Sequence, residues 1–334
     1  MAPPLRHDLD FDPPTGVIER LSPLVRRVVC PNPSPFTFRG TATFIVGHGD
    51  VAVIDPGPPS AAHLEALLAG LDAGERVRWI AVTHTHSDHS LGSSMLVERT
   101  GATTFGFGPH VERASEAGIE DGLEHLDFGE HISPDDIDRF RAELDAVPNE
   151  FRHEAHDLGF APDVTLSDGD SIRGDGWTLD AVHTPGHCSN HLSYGLPEES
   201  TLFSGDHVMA WATSVISPPD GSMGDYLRSL DRVLRRNDRV LRPTHGPAIE
   251  SPRNYLAALA AHRLDRERQV LDAVTSGCPR ITDIVPVLYA AYDKRLWFPA
   301  AASVLAHLEK LVEDGRVATT DGAAPALSSA FAVA

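Results

Sequence analysis

Short apolar runs punctuate the first 250 residues, and several of them end on a polar side chain. "RWIAV" at 78–82 reads as a buried strand that runs into "THTHSDHS", and "LGSSMLVERTG" then spaces its apolar residues as a helix does. The same pattern recurs in "VAVIDPG", which ends on Asp55 before a Pro-Gly turn, and in "WTLDAVHTPGHCSNH", which delivers His183, His187 and His191. "TLFSGDH" delivers Asp206, and "RVLRPTHGP" delivers His245. Strands that feed loops and helices predict an α/β fold, with ligand-binding groups collected at the carboxyl ends of the strands. From about residue 255 the period changes. "HRLDRERQVLDAV", "ITDIVPVLYAAY" and "FPAAASVLAHLEKLVEDG" predict three helices, the second capped by Thr282-Asp283 and the third ended by Gly315, and "RVATTDG" predicts a short hairpin.

Composition adjusts this picture in a few places. A chain of 334 residues, 41% hydrophobic, is long enough for a main domain and a smaller one. Neither "MAPPLRHDLDFDPP" nor any later stretch reads as an export signal or membrane span, so a soluble cytoplasmic protein without a membrane partner is expected. Cys30, Cys188 and Cys278 are odd in number and far apart, which argues against a disulfide framework or a Cys-x-x-Cys metal site. Cys188 is expected to be a small buried residue rather than a ligand.

The formal net charge is −20. Residues 111–160 hold fifteen acidic and four basic side chains, whereas residues 251–334 hold nine of each. An acidic surface repels phosphate backbones and disfavours general nucleic-acid binding.

The candidate chemistry is that of metal ions. His84, His86, Asp88, His89, His187, Asp206 and His245 are seven donors of the types that bind zinc, manganese or iron, enough for two sites. Two ions about 3.5–4 Å apart can share an activated water, which requires a carboxylate between them. Asp206, arriving from a separate strand end, is the candidate.

These motifs, in this order, resemble the metallo-β-lactamase superfamily: Asp55, "HTHSDH", His187 in "TPGH", Asp206 in "SGDH" and His245 in "THGP", over roughly residues 20–250. The resemblance implies an αββα sandwich. It also implies that His84, His86 and His187 hold one metal, that Asp88, His89 and His245 hold the other, and that Asp206 bridges them. Asp55 would hold a ligand loop without touching metal, and His183 and His191 would support ligands or face substrate. Two features depart from the family pattern. "GTATF" at 40–44 carries Ala42 where related proteins often have Asn, and the acidic insertion at about 110–160 is long. Within it "SPDDIDRFRAEL" predicts a helix capped by Ser133, read either as a packed elaboration or as a lid or homodimer contact.

The C-terminal order resembles the winged helix of the β-lactamase-like-2 branch, and "SPLVRRVVCPNPSPFT" and "SPPDGSMGDYLRSLDRVL" fit that branch as well. The expected division is therefore a catalytic domain at 1–250 and a winged-helix-like domain at 251–334. DNA binding is not expected, because the third helix offers Ala300, Ala301, Ala302, Ser303, Val304, Leu305 and His307 with Lys310 as its one cation. The expected activity is a di-zinc hydrolase in which a metal-bound hydroxide, oriented by Asp88, attacks a small ester, thioester or lactone. Two alternatives stand beside it: an endoribonuclease or phosphodiesterase taking short RNA, and a mononuclear iron persulfide dioxygenase.

Overall fold

A computed structural model of the chain describes residues 4–111, 126–133, 135–136 and 156–334. The first sheet sets β1 (Glu19–Arg20), β2 (Val25–Val29), β3 (Ala42–Val46), β4 (Asp50–Ile54), β5 (Arg76–Ala81), β6 (Thr103–Gly106) and β7 (Val164–Thr165) side by side in chain order. β1 to β4 pair antiparallel, and β4 to β7 pair parallel. Parallel neighbours need a crossover that returns the chain to its starting end. Here α1 (Ala61–Ala69) joins β4 to β5, and α2 (Ser87–Ser90) with α3 (Gly92–Thr100) joins β5 to β6.

Alternation along the strands decides which side chains enter which layer. Ala42, Phe44, Val46, Ala52 and Ile54 face the second sheet, whereas Ile45, Val51 and Val53 share a cluster with Leu64, Leu67 and Leu96 of the helices. β5 carries one extra residue, since Val51 pairs with Val77 but Ala52 pairs with Trp79. The bulge at Arg78 shifts the phase, so Ile80 lies under the helices and Ala81 turns inward beside the site.

The second sheet runs from β8 (Ser171–Gly174) through β9 (Trp177–His183), β10 (Leu192–Leu196), β11 (Thr201–Gly205) and β12 (Val240–Pro243) to β13 (Ile249–Glu250). Its one parallel pair, β11 with β12, is joined by α4 (Met223–Arg235), whose N-cap Ser222 accepts the Asp225 amide. Leu179, Ala181, Leu192, Tyr194, Leu196 and Phe203 meet the first sheet; Val182, Leu202 and Leu241 meet α4 and the first half of α5 (Arg253–Thr275). The layers are therefore helix, sheet, sheet and helix, the expected αββα sandwich.

α5 serves two cores. Leu256 and Leu259 pack on the second sheet, while Val270, Ala273 and Val274 pack with α6 (Ile281–Leu288), α7 (Trp297–Glu313), β14 (Val317–Thr319) and β15 (Phe331–Val333) in a winged helix. Two local expectations need correction. Arg280, not Thr282, is the N-cap of α6, and Asp283 accepts the Arg280 amide from the third helical position (3.1 Å). β14 pairs not with a strand inside 316–322 but with β15, because the chain loops out before returning.

The insertion also meets this C-terminal core. Leu126, Phe128 and Ile132 are buried in it, and Phe128 stands edge-on to Trp297 and Phe298 at 5.5 Å each. Ser133 accepts the Asp136 amide as a cap should (3.2 Å), but the body of the helix expected over 133–144 lies outside the described residues. Among the described residues no helix is long and apolar enough to cross a membrane.

Candidate metal centre

The expected donors stand at the ends of β4, β5, β9, β11 and β12 or in the loops that follow. Asp88 and His89 lie on the four-residue turn α2 rather than on an open loop. Gly205 lets β11 deliver Asp206: its φ of +52° and a Cβ that would come within 2.5 Å of His191 Nε2 both exclude larger residues.

Asp55 is fully buried and adopts φ +49°, a conformation that Asp tolerates better than most residues. Its carboxylate accepts hydrogen bonds from the Thr83 amide (2.8 Å), Thr83 Oγ1 (2.8 Å), Thr244 Oγ1 (3.0 Å) and His89 Nδ1 (2.9 Å). One buried acceptor thus ties the loops after β4, β5 and β12 together and orients an imidazole.

Two groups of donors converge. In the first, His86 Nδ1 lies 2.8 Å from His84 Nε2 and 3.1 Å from His187 Nε2. In the second, Asp88 Oδ2 lies 3.2 Å from His245 Nε2 and 3.6 Å from His89 Nε2. Asp206 Oδ2 stands between them, 3.4 Å from His245 Nε2, 3.6 Å from His89 Nε2 and 3.9 Å from His187 Nε2. Ligand atoms about 2.0–2.1 Å from a tetrahedral ion are roughly 3.3 Å apart, close to these separations. His89 Nε2 and Asp206 Oδ1 are buried without a hydrogen-bond partner. Such atoms are costly unless a cation satisfies them, so the donor set fits metal.

In three of the five imidazoles the second nitrogen is held so that the converging one carries the lone pair. His187 Nδ1 meets the Val215 carbonyl (2.6 Å), His245 Nδ1 meets the Gly40 carbonyl (3.2 Å), and His89 Nδ1 meets Asp55. A ring nitrogen that donates to a carbonyl or carboxylate fixes the tautomer with the other nitrogen free to ligate. Thr41 Oγ1 donates to Asp88 Oδ2 (3.1 Å), and His191 Nε2 accepts the Asp206 amide (3.2 Å).

Charge in the cluster is divided. Burial pushes His84, His86 and His191 well below the usual histidine value and lowers His187 as well. Burial also opposes charge on His89, but Asp88, Asp206 and Asp55 outweigh it and hold the imidazole well above its usual value. His245, likewise buried, is pushed up to about 10 by Asp206 and Asp88. Asp206 resists burial and is held well below the carboxylate range by His245 and His89. The carboxylates demand positive charge, and a bound cation would supply it in place of these protons.

His183 does not join the centre. Its ring stacks on Phe107 (4.3 Å) and its Nε2 meets the Ser189 carbonyl (3.0 Å), because the chain turns away after β9 and returns only at His187. Cys188 is buried as expected, yet its Sγ lies 3.5 Å from His86 Nε2, so His187 and Cys188 flank opposite nitrogens of one ring. Thr41, Thr83 and Thr244 were not singled out by sequence reasoning. The recurring Thr-His pair, in "VTH" and "PTH", is the signal that marks two of them.

This fold and this arrangement of donors define a class, and comparison with known proteins agrees. The family model "Metallo-beta-lactamase superfamily" matches residues 36–245, and "Beta-lactamase associated winged helix domain" matches 281–324. The chain belongs to the metallo-β-lactamase superfamily, whose members are mostly hydrolases. A beta-lactamase-like protein 2 homolog of Caenorhabditis elegans is 28% identical, over 90% of this chain and 88% of its own. An atrochrysone carboxyl ACP thioesterase of Pseudocercospora fijiensis is 26% identical, over 92% and 80% respectively. The crystal structure of a beta-lactamase domain protein from Burkholderia ambifaria shares the fold at a TM-score of 0.75 and 22% identity, covering 99% of this chain and 98% of that one.

Proposed function

We propose that the chain is a dinuclear metal hydrolase of small acyl substrates, with thioesters foremost among thioesters, esters and lactones. The observation that supports this most is the position of Asp206 Oδ2, 3.4 Å from His245 Nε2 and 3.9 Å from His187 Nε2, between two otherwise complete donor groups. His84, His86 and His187 would hold one ion, Asp88, His89 and His245 the other, with zinc the expected metal and manganese or iron the alternatives. Metal held by these residues would supply Lewis acidity and lower the pKa of a water toward neutral. Asp88, which accepts a hydrogen bond from Thr41 Oγ1, would orient the attacking water. Asp55 keeps His89 in the tautomer that ligates through Nε2.

The thioester preference draws on the P. fijiensis relative, a thioesterase by name, which aligns with 92% of this chain. Charge supports a small substrate over RNA: the chain carries −20, and α7 pairs Lys310 with Glu267 (3.1 Å) and Asp314 (2.6 Å). A mononuclear iron dioxygenase would leave Asp88, His89 and His245 without a metal to bind. The test is a panel of acyl thioesters, esters, lactones, aryl phosphodiesters and short RNA, assayed with the zinc-reconstituted protein. Thioester hydrolysis lost in Asp206→Ala is the expected result. Rapid RNA cleavage with no acyl hydrolysis would overturn the proposal in favour of a phosphodiesterase.

A further inference from the structure

Outside the seven donors, another group comes together on three loops. His110 follows β6, His156 lies at the end of the insertion, and Asp220 lies between β11 and α4; one ligand atom of each falls within 4.8 Å of the others. His110 and Asp220 are only 8% and 6% exposed. The rings of His110 and His156 lie nearly parallel, 3.6 Å apart.

Two of the three members are held from behind. Asp220 Oδ2 accepts the Ser189 amide (3.0 Å), while its Oδ1 is buried without a hydrogen-bond partner. His156 forms a backbone bridge with His86, the next residue's amide donates to the Thr85 carbonyl (2.7 Å), and the His156 ring packs 4.7 Å from that of His86. A buried carboxylate oxygen without a hydrogen-bond partner, on a side chain grouped with two imidazoles, is the kind of feature a cation satisfies. By donor type, two imidazoles and a carboxylate suit a divalent first-row ion and leave coordination positions open; the stacked rings hold their lone pairs in parallel planes, so one ring turns for both to share the ion.

We propose that His110, His156 and Asp220 form an additional divalent-metal site that shares no ligand with the seven-donor centre. A cation there ties the two ends of the insertion to the loop before α4, beside His86. The site stands whether or not the main centre is dinuclear.

The test is zinc content by equilibrium dialysis and elemental analysis of the full-length, chelator-stripped protein. Asp220→Asn keeps an oxygen for the Ser189 amide but removes the charge, and His110→Gln removes an imidazole. Each variant should bind one zinc fewer than the wild type. His84→Ala should lose zinc from the main centre yet still differ by one zinc from the His84→Ala/Asp220→Asn double variant. Equal zinc counts in the wild type and in either variant that retains its near-ultraviolet circular dichroism would overturn the proposal, and each substitution decides it alone.

Discussion

Asp55→Asn should separate folding from metal binding. The substitution keeps the volume of the side chain and one acceptor oxygen, which can still take the Thr83 amide now bonded at 2.8 Å. The other oxygen, which meets His89 Nδ1 at 2.9 Å, becomes an NH2 donor. His89 Nδ1 must then accept, its proton moves to Nε2, and Nε2 no longer offers a lone pair to the second donor group. The NH2 has two hydrogens for three former donors, so beside His89 it can serve one of the Thr83 and Thr244 hydroxyls, turned to accept, while the other loses this partner, a loss the fold should survive. Loss of such an orienting partner typically costs 10–100-fold in metal affinity, about 1.4–2.8 kcal/mol. The loss should fall on the group containing Asp88, His89 and His245 and leave His84, His86 and His187 nearly unchanged. Competitive zinc titration against a chromophoric chelator reads both affinities, and nitrogen NMR of His89 reads the tautomer. Unchanged affinity in both groups, or a loss shared equally between them, would refute the reasoning. Asp55→Ala should do worse, because the Thr83 amide and His89 Nδ1 are both left unpaired at about 1–3 kcal/mol each.

Three further outcomes are expected. His307 is fully buried in α7, and burial, Arg263, Arg266 and Lys310 push its pKa down to about 3. Its folded value lies below the unfolded one of about 6.5, so stability present above about pH 6.5 is lost as pH falls, at up to about 1.4 kcal/mol per pH unit; His307→Leu should flatten the urea midpoint against pH by about one proton, and an unchanged slope would contradict this. Phe128→Ala should destabilise the winged helix by about 3–5 kcal/mol in chemical denaturation, because its ring is buried against Trp297 and Phe298; a loss below about 0.5 kcal/mol would show that the insertion does not dock there. Thioester hydrolysis should change less than about twofold between about 50 and 200 mM salt, since a small neutral substrate needs no phosphate contacts, and a steep fall would point to a polyanionic substrate.

Much of the centre was legible because each donor follows an apolar run, and a strand fixes where its end residue emerges. Asp206 and His245 are each weak on that ground alone and stand out only together with the other strand-end donors. The tautomer control was not legible, since the Gly40 and Val215 carbonyls belong to the backbone and any residue supplies one. His183 lies apart from the donors because nearness in sequence to His187 does not survive the turn at 184–186. The pairing of β14 with β15 and the docking of Phe128 on Trp297 join segments too far apart for local periodicity to register. His110, His156 and Asp220 are not legible as a group for the same reason: they come from three loops, and the one quoted segment among them, around Asp220, carries no ligand spacing.

The most direct measurement of the central claim is the affinity of each donor group for zinc in Asp206→Ala, made in the Asp220→Asn background so that the outer group does not contribute. If Asp206 lies between two ions, both zinc affinities should fall together by at least about tenfold, whereas His187→Ala in the same background should weaken mainly the first. Two zinc ions retained at parental affinity in the Asp206→Ala protein would contradict the account.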